Sequence, residues 1–112
     1  MPPHRYDVLW TQAAQSDFRH IVEFIAGRSA GTAESIRDLL FDATTTLERQ
    51  PSRGRVVPEL HELGFDGWRE LLVSPYRIMY RIEKRRVTIT IVVDARRDLK
   101  QLLLERLIEY EP

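Results

Sequence analysis

Trp68-Arg69-Glu70-Leu71-Leu72-Val73, a Ser74-Pro75 reversal, Tyr76-Arg77-Ile78-Met79-Tyr80-Arg81-Ile82, a charged turn, and Val87 to Val93 read as three strands of one meander. Strand side chains alternate with a period of two, so Ile78, Tyr80 and Ile82 fall on one side of the middle strand and Arg77, Met79 and Arg81 on the other. In the third strand Val87, Ile89, Ile91 and Val93 oppose Thr88, Thr90 and Val92. One side is apolar and needs cover, because burying each such side chain is worth roughly 1.5–3 kcal/mol. The other side is cationic. An arginine sealed in without a partner costs several kcal/mol, so Arg77 and Arg81 predict a face that is wet or built to meet anionic or polar groups.

Upstream, Arg5 to Trp10 alternates as a first strand that joins the same sheet. Thr11 is a good N-cap, and Ala14, Phe18, Ile21 and Ile25 repeat at helical spacing up to Gly27. Ser29-Ala30-Gly31 then connects to Thr32, a second candidate cap, and Ile36, Leu40, Ala43 and Leu47 carry a second helix to Arg49 before Pro51 stops it. This hairpin of helices supplies the cover. Pro51 to Gly67 is the longest irregular segment, and loops of that length inside a compact domain are often functional. After Asp94-Ala95-Arg96-Arg97, Asp98 caps a last helix striped by Leu99, Leu103 and Leu107, widened by Leu102 and Ile108. That stripe either packs on its own sheet or lies over the cationic face until a partner displaces it.

The chain has 112 residues, which predicts a single domain spanning 1–112. It has no cysteine, so a disulfide framework and thiolate metal sites are excluded. No apolar run approaches the roughly 20 residues of a membrane span, and the amino terminus leads into a strand, which predicts a cytoplasmic protein with no membrane role. Seventeen basic residues balance seventeen acidic ones, so the whole molecule has no general attraction for phosphate. Basic residues outnumber acidic ones from Arg53 to Arg97, and the reverse holds from Asp98 onward. That segregation permits a local cationic surface. His4, His20 and His61 lack metal-ligand spacing, and no phosphate loop or catalytic triad order is present, so neither metal nor cofactor is expected.

The β-α-α-β-β-β order with a C-terminal helix resembles the RelE/ParE superfamily, toxins of bacterial type II toxin–antitoxin pairs. The resemblance is carried by Leu47-Glu48-Arg49-Gln50-Pro51, Gly54-Arg55, Arg69-Glu70-Leu71, Pro75 to Ile82, and Asp94-Ala95-Arg96-Arg97-Asp98. It implies an α+β fold, an antiparallel sheet with two long helices packed on one face. It also implies a partner, a cognate antitoxin that neutralises the toxin.

Two activities belong to that superfamily. ParE-like members inhibit DNA gyrase and need no catalytic set of their own; Gly54-Arg55, Arg69-Glu70-Leu71 and Pro75-Tyr76-Arg77 resemble these more closely. RelE-like members are endoribonucleases that cut mRNA on the ribosome with a basic sheet face. Arg69, Arg77 and Arg96 match three basic positions of that kind, but Leu71 stands at a further basic position and Leu102 near that of a carboxy-terminal tyrosine. Arginine, always charged, is a poor general base, so these departures favour the ParE-like branch. A non-toxic antitoxin-binding member is the third alternative. The expected target contacts are Arg69, Arg77, Arg96 and Arg97, with the first three as the catalytic candidates if the protein is a ribonuclease. The plainer alternative is that these arginines pair with Glu70, Asp94 or Asp98 as solvated charges. Tyr80 is expected in the core, Tyr76 is undecided, and Trp10 and Trp68 are packing residues.

Overall fold

The computed structural model describes residues 5–110, with side chains to Arg106. His4 lies outside the described residues, and the side chains of Leu107 and Ile108 lie outside those described. Strand β1 (Asp7–Trp10) leads into helices α1 (Gln12–Ala26) and α2 (Ala30–Thr45). Two 3-10 turns, Thr46–Glu48 and Pro51–Arg53, precede strand β2 (Arg55–Val56) and helix α3 (Pro58–Glu62). The meander follows as β3 (Trp68–Val73), β4 (Tyr76–Glu83) and β5 (Arg86–Asp94), and α4 (Leu99–Tyr110) closes the chain.

Local signals place these ends. The Thr11 hydroxyl accepts from the Ala14 N–H at 3.1 Å and starts α1. Ser29, not Thr32, caps α2, accepting from the Thr32 N–H at 3.2 Å, so α2 begins inside the stretch expected to be a connection. The irregular segment contains two elements that sequence periodicity was too short to reveal. Arg55–Val56 pairs with Glu70 and Arg69 as an edge strand, and Pro58, at the first helical position, opens α3.

The sheet runs β1-β5-β4-β3-β2. The meander is antiparallel as expected, whereas β1 pairs parallel to β5, so the sheet is mixed. The α1–α2 hairpin and the 3-10 turn after it cover one face, packing Ala14, Leu40 and, from the turn, Leu47 against Leu71, Ile78, Tyr80, Val87, Ile89 and Val92, with Trp10 and Phe18 edge to face at 5.4 Å beside them.

The opposite face corrects the reading of an open cationic surface. It holds a second core, in which Trp68, Met79, Ile91 and Val93 meet Val57 and Leu60 from the α3 segment and Leu99 and Leu103 from α4. A β-bulge explains the surplus of apolar residues there. Met79 pairs with Ile91 but Tyr80 with Ile89, so Thr90 is an extra residue and every later β5 side chain changes face. Ile91 and Val93 thus leave the hairpin side and Val92 joins it. The Leu99–Leu103 stripe lies on its own sheet, over the face expected to be cationic.

The bulge lies just past the end of β1 and leaves strand edge groups to be satisfied. Asp17 on α1 accepts from the Val92 N–H at 3.1 Å, Arg106 on α4 donates to the Thr90 carbonyl at 3.2 Å, and the two side chains pair with each other. One ion pair closes this edge and ties the layers on either side of the sheet together.

Candidate functional site

Of the segments that carry the resemblance, those around Pro51, Gly54-Arg55, Arg69-Glu70 and Tyr80 meet at the β2–β3 edge, while Asp94 to Asp98 lies apart, beyond β5. The turn at Pro51–Arg53 brings Gly54 so close to the sheet that a Cβ there would stand 2.5 Å from the Tyr80 hydroxyl and 2.6 Å from the Glu70 carbonyl oxygen. Only glycine fits. The Gly54 N–H donates to the Tyr80 hydroxyl at 3.0 Å, and that hydroxyl donates to the Pro51 carbonyl at 2.7 Å. Burial pushes the Tyr80 phenol above its ordinary pKa, which keeps it neutral and able to donate. Tyr80 is therefore a core residue, as expected, with a polar tip that anchors the loop. Arg69 donates to the Gly54 carbonyl at 2.8 Å, and Arg53 donates to the Thr46 hydroxyl at 2.6 Å.

From Glu70 a chain of charges crosses the upper face. Arg55 Nε lies 2.7 Å from Glu70 Oε2; Arg77 reaches Glu70 through Nε at 2.5 Å and through Nη2 at 3.0 Å. The outer nitrogens of Arg77 form a fork with Glu59, both bonds being 2.8 Å. Glu70 is 1% exposed and Arg77 6%. Buried charges persist only when paired and hydrogen-bonded, and here two carboxylates answer one guanidinium. The Arg77 bonds hold the Glu59 carboxyl below its ordinary pKa, while the bonds to Glu59, chiefly, raise that of Arg77 further. The network joins β2, β3, β4 and α3.

The expectation that Arg69, Arg77 and Arg96 share one side of the sheet does not hold. Arg69 is directly opposite Tyr80 and so belongs to the hairpin side, while Arg77 is opposite Leu72 on the other. Arg96 lies beyond β5 in an exposed loop, its guanidinium 2.6 Å from Asp94. Asp94 also accepts from the Arg96 N–H at 2.9 Å, and these bonds lower its pKa to about 2. Arg97 is exposed in the same loop, its N–H bonded to the Asp94 carbonyl at 3.1 Å. Of the four, only Arg96 and Arg97 come together. The pairs Arg77–Glu70 and Arg96–Asp94 form as the plainer alternative had it, but the first is buried, not solvated. The upper face does meet anionic groups, and they belong to the protein itself.

Glu59 and Arg55 were missed as members of the site. Glu59 follows Pro58 at the start of a short helix, a position where acidic residues are favoured, but nothing local ties it to Arg77 eighteen residues on. Arg81 lies 5.3 Å over the Trp68 ring and 3.3 Å from Glu83. Leu71 faces the hairpin core, and Leu102 packs against the second core. Among the described residues no three His, Asp or Glu side chains gather where they would hold a metal ion, and no helix is long and apolar enough to cross a membrane.

Comparison with known proteins places this architecture. The backbone is similar to the chromosomal ParDE toxin–antitoxin system of P. aeruginosa, with a TM-score of 0.65 and 18% identity over 81% of this chain and 97% of that one. It is also similar to the toxin–antitoxin complex RelBE2 of Mycobacterium tuberculosis, with a TM-score of 0.55 and 22% identity over 80% and 91% of the two chains. A mutant of the E. coli toxin RelE in the free state aligns over 96% of this chain and 99% of its own, with a TM-score of 0.63 and 13% identity. No curated protein sequence matches. At these identities the structures establish the fold alone. Residues 8–100, however, match the family model of the ParE toxin of the type II toxin–antitoxin system parDE, and this chain therefore belongs to the ParE toxin family.

Proposed function

We propose that the protein is a toxin that binds and inhibits DNA gyrase and is held inactive by a cognate antitoxin. The family match over residues 8–100 supports the ParE-like branch. The state of Arg77 favours it over catalysis. A ribonuclease of this fold needs free positive charge where a phosphorane develops, and the Arg77 charge is offset by Glu59 and Glu70 within hydrogen-bond distance. Leu71, at a further basic position of the ribonuclease pattern, faces the hairpin core.

Target contact falls to groups that reach solvent. Arg96 and Arg97, held together in the loop between β5 and α4, are the exposed members of the predicted set. Arg69 contributes by supporting the Gly54 carbonyl rather than by reaching outward.

The test is expression of the toxin without antitoxin, together with gyrase supercoiling assays on purified protein. Lost supercoiling with intact mRNA is the expected result. Translation-dependent cuts in mRNA with supercoiling untouched would replace this reading with the ribosome-dependent endoribonuclease, and no toxicity at all would leave an antitoxin-binding protein without a toxic target.

A further inference from the structure

β2 covers the outer edge of β3 for only part of its length. The Val57 N–H donates to the Trp68 carbonyl at 3.4 Å, and alternation turns the peptide groups of Glu70 and Leu72 to the same side. Arg55 lies opposite Glu70, but the chain before Gly54 has already left the sheet in the Pro51–Arg53 turn. The ladder therefore runs out at Leu72, whose N–H and C=O meet no partner among the described residues.

A cavity of about 260 Å³ opens at this point, walled by Ala43, Leu72 and Val73, with the exposed Arg53 and Arg55 beside them. Leu72 is 55% exposed. Each arginine is anchored by one nitrogen, Arg53 through Nη1 on the Thr46 hydroxyl and Arg55 through Nε on Glu70, and neither makes another hydrogen bond among the described residues. Glu70 is the one carboxylate among the described residues of the lining, and its side chain is fully buried and shared with Arg77. What the cavity turns to solvent is positive charge. The edge runs on to the Ser74-Pro75 turn, where the Ala95 N–H donates to the Pro75 carbonyl at 2.8 Å and sets the Arg96–Arg97 loop at this same end of the sheet. An open strand edge beside an exposed apolar side chain is what proteins normally blunt, unless a partner strand uses it.

We infer that this β3 edge takes an acidic, extended segment of gyrase as a further strand. Its main chain pairs with Leu72, its apolar side chains enter the cavity, and its carboxylates meet Arg53 and Arg55 on the way to the Arg96–Arg97 loop. This rests on the gyrase reading proposed above and adds where on the fold the target docks and by what chemistry. A nucleic-acid phosphate fits less well, since it accepts from the Leu72 N–H but has no donor for the Leu72 C=O and nothing to fill apolar walls. A second copy of this chain would bring its own Arg53 and Arg55 to the same edge, and like charges brought together across a strand pair destabilise it.

The experiment follows amide hydrogen exchange in the toxin alone and with purified gyrase, alongside gyrase binding by variants. Exchange at Leu72 is expected to slow by about tenfold or more when gyrase is bound. Arg53→Glu, and Leu72→Pro, which removes an outward donor only, should each weaken gyrase binding by about tenfold or more. Arg86→Glu, at the β4–β5 hairpin, should leave it unchanged. Gyrase inhibited while Leu72 exchanges as in the free toxin overturns this docking edge and leaves the gyrase reading standing. Gyrase neither bound nor inhibited overturns both. Binding untouched by Arg53→Glu overturns an acidic occupant, and a free toxin that is dimeric with the Leu72 amide already protected overturns the choice of gyrase over a second copy.

Discussion

Arg77 and Glu70 lie 2.5 Å apart on neighbouring strands, with 7% and 0% of their side chains exposed. Residue 70 is not the direct cross-strand neighbour of residue 77, which is Leu72, so the guanidinium reaches diagonally across the pair. Removing one partner leaves the other charge buried. Arg77→Ala is therefore expected to cost about 3–5 kcal/mol in urea denaturation. The double variant Arg77→Met with Glu70→Leu should lose less than either single truncation, since Glu59 and Arg55, the outer members, are more exposed and can be solvated. A double variant as unstable as the sum of the singles would show that the pair is not coupled.

Gly54 predicts a steric failure. Its Cβ direction meets the Glu70 carbonyl oxygen and the Tyr80 hydroxyl, one of them backbone that cannot swing aside. Gly54→Ala should cost at least about 1–3 kcal/mol. Tyr80→Phe should cost about 1–3 kcal/mol by a different route, leaving the Pro51 carbonyl and the Gly54 N–H without their partner. Thermal unfolding of both variants checks this, and wild-type melting in Gly54→Ala would contradict the close approach.

Acid should weaken the fold in two steps. The Glu59 carboxyl is held below its ordinary 4.5 by Arg77, and Asp94 is lowered from 3.8 to about 2 by Arg96. Both pKa values are depressed in the folded state, so the unfolded chain binds more protons and stability rises with pH across these windows. The Glu59 contribution is present above 4.5 and is lost as pH falls below it; that of Asp94 is complete above 3.8 and lost as pH falls through about 2. Urea midpoints measured between about pH 6 and pH 2 should fall less steeply in Glu59→Gln and Asp94→Asn than in the wild type.

Arg96 and Arg97 supply the activity test of the proposed target contact. Both are exposed, so replacing them with alanine should change stability by less than about 0.5 kcal/mol apart from the Asp94 pairing. Gyrase inhibition by the double variant is expected to drop by about tenfold or more. Unchanged inhibition at unchanged melting temperature would move the contact away from this loop.

The Asp17–Arg106 pair should act as a clasp. Arg106→Ala leaves the Thr90 carbonyl and Asp17 short of a partner at the bulged edge and frees α4 on that side. Faster amide exchange in α4 and at residues 90–92, with the α1–α2 hairpin unaffected, is the expected pattern.

Much of this was legible in residue order alone. Alternation between Trp68 and Val93 specified three antiparallel strands and the face the helical hairpin covers, because a period of two needs no knowledge of neighbours. Thr11 and Gly27 marked the ends of α1 through backbone chemistry that is local by nature, whereas α2 stops at Thr45, short of the expected Arg49, and Pro51 opens a 3-10 turn instead of ending the helix. Tertiary structure alone decided the rest. One extra residue at Thr90 exchanges the two faces of β5, and no periodicity announces a bulge set by pairing with another strand. The sealed state of Arg77 depends on Glu59 arriving from α3 and on α4 covering the same face. Whether a charge is open or buried is decided by what folds over it, and that is a property of distant segments rather than of the arginine's own strand.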